Sequence, residues 1–303
     1  MKIPKILIEG GSKATQRKKA FVLRLIYINA MLIAATLVLL IAIISIGLIR
    51  DSLEKEPEAP KNVGKTEAVT LSDSQLHSGD LLLLDSEHPY SAKANIVLIS
   101  SIERPQTDGG TNAYTIGGMK TLGGTAKAIN ALNDMIGAFY RSTKDDNIYI
   151  SNAHNKELGA GQDAVFISGT AFELKYFSAA DVEDWSQKSS IYGVEKYAWI
   201  YNNAHKYGFI RVGEEGSSTF RYVGAVHATA AKGKGSFKNY LESLKTYTPD
   251  QPLLVNASGG SYAVYYMAAE GKHVVPTEYT YEISGNNSDG YIVTVRLSKN
   301  MTQ

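Results

Sequence analysis

The run from Leu25 to Ile49 carries no charged residue and no proline. As a helix it would be about 37 Å long at roughly 1.5 Å per residue, enough to cross a hydrocarbon core of about 30 Å with some tilt. It is longer than the apolar region of a signal peptide, and no small-residue cleavage motif follows it. Ahead of it, Lys2, Lys5, Lys13, Arg17, Lys18, Lys19 and Arg24 stand against a single acid, Glu9. A basic flank of this kind stays on the cytoplasmic side. The expected arrangement is therefore a basic cytoplasmic segment over residues 1–24, a single-pass transmembrane helix over 25–49 in the cell membrane, and an extracellular remainder.

The chain as a whole is ordinary in composition, and two exclusions follow from it. Across the 303 residues, Lys plus Arg total 31 and Asp plus Glu 30, a net charge of +1, so no general attraction to nucleic acid is expected. There is no cysteine, which excludes disulfides, thiolate metal sites and cysteine nucleophiles. Any metal would have to be held by histidine and carboxylate.

Residues 50–70, "RDSLEKEPEAPKNVGKTEAVT", are charged and contain two prolines without a sustained apolar period, as a linker would. From residue 71 the pattern is that of a folded chain. "GDLLLLD", "NIVLIS", "NIYIS" and "DAVFIS" predict short strands. "AKAINALNDMIGAFY" places Ile129, Leu132, Ile136 and Phe139 on one helical stripe. "GVEKYAWIYNNAHKYGF" does the same with Val194, Tyr197, Tyr201 and Ala204, and Gly208 is placed to end that helix. Ser236 is a suitable N-cap for a third helix through "FKNYLESLK". The Gly-rich "TDGGTNAYTIGGMKTLGGT" predicts a loop, and its Gly118-Met119-Lys120-Thr121 matches a phosphate loop only loosely. Beyond Pro249 come strand signals: "PLLVNAS", "SYAVYYMAA", and "TYEISG" with "GYIVTVRLS" around an "NNSDG" turn. The expectation is an α+β fold, with a main domain over 71–249 and a β-rich C-terminal extension over 250–303.

Several phrases in this order resemble the D-alanyl-D-alanine carboxypeptidases of the VanY type, zinc peptidases that trim bacterial cell-wall stem peptides. Tyr207-Gly208-Phe209, Arg221-Tyr222-Val223-Gly224, His227-Ala228 and Tyr240-Leu241 fit the family, the arginine phrase with its following His-Ala most specifically. "SGDLLLLDSEHPY" and "ALNDMIGAFY" resemble its lead-in, and the likeness covers most of residues 78–297. The resemblance implies a small antiparallel sheet with helices packed over it and a groove for an extended peptide end.

It also implies a zinc site, and there the chain departs. The family pattern S-x-H-x-x-G-x-A-x-D, laid on residues 154–163, keeps Gly159 and Asp163, while the ligand histidine falls on Lys156 and the alanine on Gly161. In the second motif, counted back from Arg221, the third ligand falls on Thr219, the tryptophan on Ser218 and the catalytic glutamate on Gly216. A protonated lysine cannot coordinate zinc, and a threonine hydroxyl is a poor substitute for imidazole. A rebuilt site would have to draw on His154, Asp163 and His227 as metal ligands, with Glu215 as base. In the bland reading His154 is a loop residue and Asp163 a turn acceptor. Ser151, Asn152 and Asp163 are the candidate substrate-binding residues of the surviving groove. His77, His88, His205 and His273 are scattered, and no G-x-S-x-G phrase supports a serine nucleophile.

Two functions are thus expected to compete. One is a pseudoenzyme that binds peptidoglycan stem peptides, or an envelope protein, with no metal cofactor. The other is an active zinc D,D-carboxypeptidase with a rearranged site. A structural envelope component assembling through the β-rich extension is a third.

Overall fold

The computed structural model describes residues 13–54, 62–117, 121–158, 162–178 and 189–297. Lys2, Lys5 and Glu9 of the basic segment, Gly118–Lys120 of the loose phosphate-loop match, and Gly159 and Gly161 of the family pattern lie outside the described residues. The chain divides into two compact units, Met1–Glu58 and Ala59–Gln303.

The first unit is one helix, α1 (Lys13–Glu54). Its stretch Ala20–Leu40 has mean hydropathy 2.1 and is long and apolar enough to cross a membrane. Its large side chains lie open, Val38 at 67% and Leu39 at 65% exposure. Within the described residues of this unit nothing covers them, which is compatible with an apolar surrounding.

The second unit opens with β1 (Thr66–Val69) and a single helical turn, α2 (Asp73–Leu76). Next come β2 (Ile96–Leu98), β3 (Thr115–Ile116), β4 (Leu122–Thr125), α3 (Ala126–Thr143), β5 (Tyr149–Asn152), β6 (His154–Asn155) and α4 (Ala164–Ile167). The middle of the unit holds β7 (Ala171–Tyr176), β8 (Ser189–Ser190), α5 (Ala198–Asn203), β9 (Phe209–Val212), β10 (Thr219–Tyr222), α6 (Ala225–Ala231) and α7 (Phe237–Leu244). It finishes with β11 (Leu253–Ala257), β12 (Gly260–Ala268), β13 (His273–Pro276), β14 (Tyr281–Gly285) and β15 (Gly290–Arg296). The main sheet runs β3-β5-β7-β10-β9 with β8 on β7, antiparallel except for the β3–β5 pair. This is the expected α+β arrangement: an antiparallel sheet with helices over it.

The stripe on α3 is why that helix lies where it does. Ile129, Leu132, Ile136 and Phe139 are fully buried against Ile150, Phe172, Leu174 and Phe220 of the sheet, and each such side chain contributes about 1.5–3 kcal/mol when taken out of water. The tyrosine-rich helix is broken into a 3-10 turn, α5 and a second 3-10 turn, and Gly208 ends it at φ +88. Ser236 caps α7 by accepting from the Asn239 amide.

Two runs that read as strands are not strands. "GDLLLLD" buries Leu81 and Leu82 as irregular chain, because its backbone groups are taken by other partners. The Leu81 amide donates to Ser284 Oγ and the Leu83 amide to the Asn286 carbonyl. The Leu82 and Leu83 carbonyls accept from Arg221 and Asn287. "DAVFIS" folds as α4, a short apolar run whose period could not separate strand from helix. Within the stretch expected as linker, Thr66–Val69 pair with His273–Pro276.

The four-stranded sheet β11-β12-β15-β14 is covered on both faces. Val264 and Ile292 pack on Val226, Tyr240 and Leu241 of α6 and α7. The opposite face, with Ala263, Tyr265 and Val293, packs with Val63 and Leu76 from the start of the unit.

Candidate functional site

The main sheet has one apolar and one polar face. Phe220 stands opposite Phe172 in the core. One residue along, Thr219 stands opposite Glu173, and Glu173 opposite Asn152. Directly opposed residues share a face and alternate ones reverse it, so Thr219, Glu173 and Asn152 lie together on the polar side. A bulge between Ile150 and Asn152 presents Ser151, whose hydroxyl donates to the Glu173 carboxylate. Lys175 adds an ion pair to that carboxylate at 3.5 Å.

Thr219 also lines a cavity of about 690 Å³, with Asp163 and Gln162, Val212 and Gly213 around it and Leu84–Ser86, Pro89 and Tyr90 closing the far wall. Asp163 is exposed at the N-cap of α4, and its side chain makes no capping bond. Its carboxylate is thus not consumed by the helix it precedes. Gln162 fastens the loop before it, accepting from the Asn155 amide at 2.8 Å and donating to the Ala153 carbonyl at 2.9 Å.

The remaining sequence candidates are dispersed. His154 places Nδ1 3.2 Å from the Ile167 carbonyl at the end of α4. Glu215 is exposed in the β9–β10 turn. His227 is buried in α6, with Nδ1 2.7 Å from the Tyr240 hydroxyl and Nε2 2.7 Å from the Thr294 hydroxyl, and it lines a different cavity from Asp163. Burial, with a smaller contribution from Lys127, pulls its pKa down to about 3, so it is neutral at pH 7. The structure brings Asp163 and Thr219 together, and His154 beside the same helix, but His227 stands apart.

No protein-family profile matches the chain. A D-alanyl-D-alanine carboxypeptidase of Enterococcus faecium is 28% identical over 255 residues, 76% of this chain and 79% of that protein. The crystal structure of the vancomycin-resistance D,D-dipeptidase VanXYg, bound to a D-Ala-D-Ala phosphinate analog, superimposes with a TM-score of 0.57 at 20% identity, covering 77% of this chain and 99% of that one. The chain is thus similar to a D-alanyl-D-alanine carboxypeptidase over about three quarters of its length, and it shares the D,D-peptidase fold.

The donors in this chain do not fit the zinc that the similarity implies. Zinc sites of the catalytic kind need three protein ligands and an open position. Asp163 shares its cavity with a threonine, and the described residues contain no group of three His, Cys, Asp or Glu able to hold a metal. The glutamate position fares no better. Gly216 has φ +89, a backbone conformation that side-chain-bearing residues rarely adopt, so the turn itself has a different shape from one that would carry a glutamate there.

What the arginine phrase does is structural. Arg221 is buried and donates to the Leu82 carbonyl at 2.7 Å and the Asp80 carbonyl at 3.3 Å. Burial lowers its pKa to about 10 against the support of Asp80, and it remains charged at neutral pH. It ties the irregular leucine run to the sheet. From the opposite side, Asn287 at φ +61 does the same for the cavity wall. Its amide nitrogen lies 3.0, 3.3 and 3.1 Å from the carbonyls of Leu83, His88 and Pro89, and its oxygen lies 2.7 Å from His77 Nδ1. Within that wall Asp85 sits 2.7 Å from His88 Nδ1 and accepts from the amides of Glu87 and His88. Burial raises the Asp85 pKa, and these bonds outweigh it and leave it lowered.

Glu173, Asn287 and the Asp85–His88 pair went unnoticed in the sequence. Only Glu173 left a signal, the polar alternation of Glu173 and Lys175 in "AFELKY". Asn287 in "NNSDG" reads as a turn residue, and its partners are about 200 positions away.

Proposed function

We propose that the chain is a membrane-anchored D,D-carboxypeptidase-like pseudoenzyme whose extracellular part holds the D-Ala-D-Ala end of peptidoglycan stem peptides without hydrolysing it. The observation that carries this reading is the cavity shared by Asp163 and Thr219: two positions onto which the resemblance lays zinc ligands, one a carboxylate and the other a hydroxyl that is a poor zinc ligand. The α1 stretch supports the anchor, and the basic flank supports a cytoplasmic N-terminus. Asp163 supplies an exposed carboxylate, not engaged in capping α4, for peptide amides or an ammonium group. Ser151 and Asn152, on β5 two strands from Thr219 and outside the cavity lining, would extend the polar face along which a longer peptide could lie. In this reading residues 71–249 form the peptidase-like part and 250–303 its β-rich extension.

The test uses the full-length chain in detergent, measuring zinc content, release of D-Ala from a D-Ala-D-Ala-ended pentapeptide, and thermal stability in titrations with that peptide. The expected result is no stoichiometric zinc, no D-Ala release and a saturable stabilisation, which reaches about 2.7 kcal/mol at a ligand concentration 100 times Kd. One equivalent of zinc lost in Asp163→Ala, together with D-Ala release, would establish the rearranged active peptidase. No stabilisation by the peptide would leave an envelope-protein partner or a purely structural role.

A further inference from the structure

A second cavity, of about 500 Å³, opens between the four-stranded sheet and the peptidase-like core and shares no lining residue with the first. It exists because α6 covers only part of a sheet face. Thr294 stands opposite both Glu282 and Val264, and Arg296 opposite Tyr262, so Glu282, Thr294, Arg296 and Tyr262 share the face that Val264 and Ile292 bury farther along. Past the helix, this face meets Asp80, Lys127 and Tyr222 of the core.

The charges around the cavity are already matched. Lys127 Nζ lies 2.9 Å from Asp80 and 3.7 Å from Glu282, one carboxylate from each side. Burial opposes its charge, but Asp80 raises its pKa to about 12. Two acids, Asp80 and Glu282, face two bases, Lys127 and Arg296, and His227 is neutral with both ring nitrogens engaged. An ionic ligand would meet no unbalanced charge. An apolar ligand would strip water from the Lys127 cluster without replacing its hydrogen bonds, which is costly.

An uncharged, hydroxyl-rich ring meets neither objection. Hydroxyls donate to Asp80 and Glu282 and accept from Lys127 and Arg296, while the ring's C–H face can lie on an aromatic side chain. The face of Tyr222 is occupied by Lys127, 5.8 Å from its centroid, and Tyr281, opposite Val295, belongs to the other face of the sheet, which leaves Tyr262 as the platform. We infer that this cavity is a binding site for a neutral carbohydrate, with Glu282, Lys127 and Asp80 reading its hydroxyls and Tyr262 stacking against its ring.

The test titrates the full-length chain, in a detergent without sugar headgroups, with N-acetylglucosamine trisaccharide and with maltotriose, using calorimetry and saturation-transfer NMR. Saturable binding of at least one trisaccharide at millimolar concentration is expected. Glu282→Gln and Tyr262→Ala should each weaken it about tenfold, Tyr262→Phe should restore it, and the D-Ala-D-Ala peptide should not compete. Glu282 has a side chain 81% exposed, so its substitution reports binding rather than folding. Binding of neither sugar overturns the proposal, as does binding that both substitutions leave unchanged. Loss of D-Ala-D-Ala binding alone counts against the function of the first cavity and leaves this one standing.

Discussion

The segment from Arg221 to Tyr240 and the segment from His154 to Asp163 carry the two halves of the family pattern, and they are built differently. In the first, the buried side chains are held inside the protein: a terminal nitrogen of Arg221 donates to two carbonyls, although its buried Nε has no partner, and both ring nitrogens of His227 meet hydroxyls. In the second, Asp163 is exposed and caps nothing, and Lys156 lies on an exposed turn. A motif residue that satisfies buried partners is held by stability, whereas a metal ligand on a cavity wall is held only by the metal. The role of the arginine phrase is therefore independent of whether the chain holds zinc.

The comparison breaks first at Arg221. Arg221→Ala removes a charged donor from two carbonyls that stay buried, and is expected to cost about 3–5 kcal/mol in denaturant unfolding. A cost below about 1 kcal/mol would mean the phrase is not structural.

His227 sharpens it through pH. Its folded pKa, about 3, lies below the ordinary 6.5, so the unfolded state takes up the proton first. The contribution of neutral His227 is fully present above about pH 6.5 and drains as the pH falls toward 3, at up to about 1.4 kcal/mol per pH unit. His227→Gln should flatten unfolding free energy across that window, leaving only the loss at lower pH from carboxylates such as Asp85, whose pKa is lowered in the fold. An unchanged slope would show that His227 titrates normally.

Asn287→Gly keeps the positive φ and deletes only the clasp. It should cost about 1–2 kcal/mol and speed amide exchange over residues 83–90, with the rest of the sheet unaffected. Uniform protection there would mean that the cavity wall stands without the C-terminal hairpin.

The smallest effect belongs to Asp163. Asp163→Ala should change stability by less than about 0.5 kcal/mol, as expected for an exposed side chain, yet reduce the thermal response to the D-Ala-D-Ala peptide. A large loss of stability would place Asp163 with the structural half of the motif.

Local physics was legible wherever it acted over a few residues. The charge-free run gave α1 its apolar span, the 3.6-residue stripe gave α3, Ser236 gave the start of α7, and the NNSDG turn separated β14 from β15. The expectation that Lys156 and Thr219 would be poor zinc ligands rests on donor chemistry alone. Tertiary structure decided the rest. The leucine run became irregular chain because Arg221, Ser284 and Asn287 claim its backbone groups from about 140 to 200 residues away, and the C-terminal strands and their turn line the second cavity and hold the wall of the first. A sequence displays the spacing of neighbours, but the pairing of a buried polar group is settled by whichever distant partner the fold brings within about 3 Å.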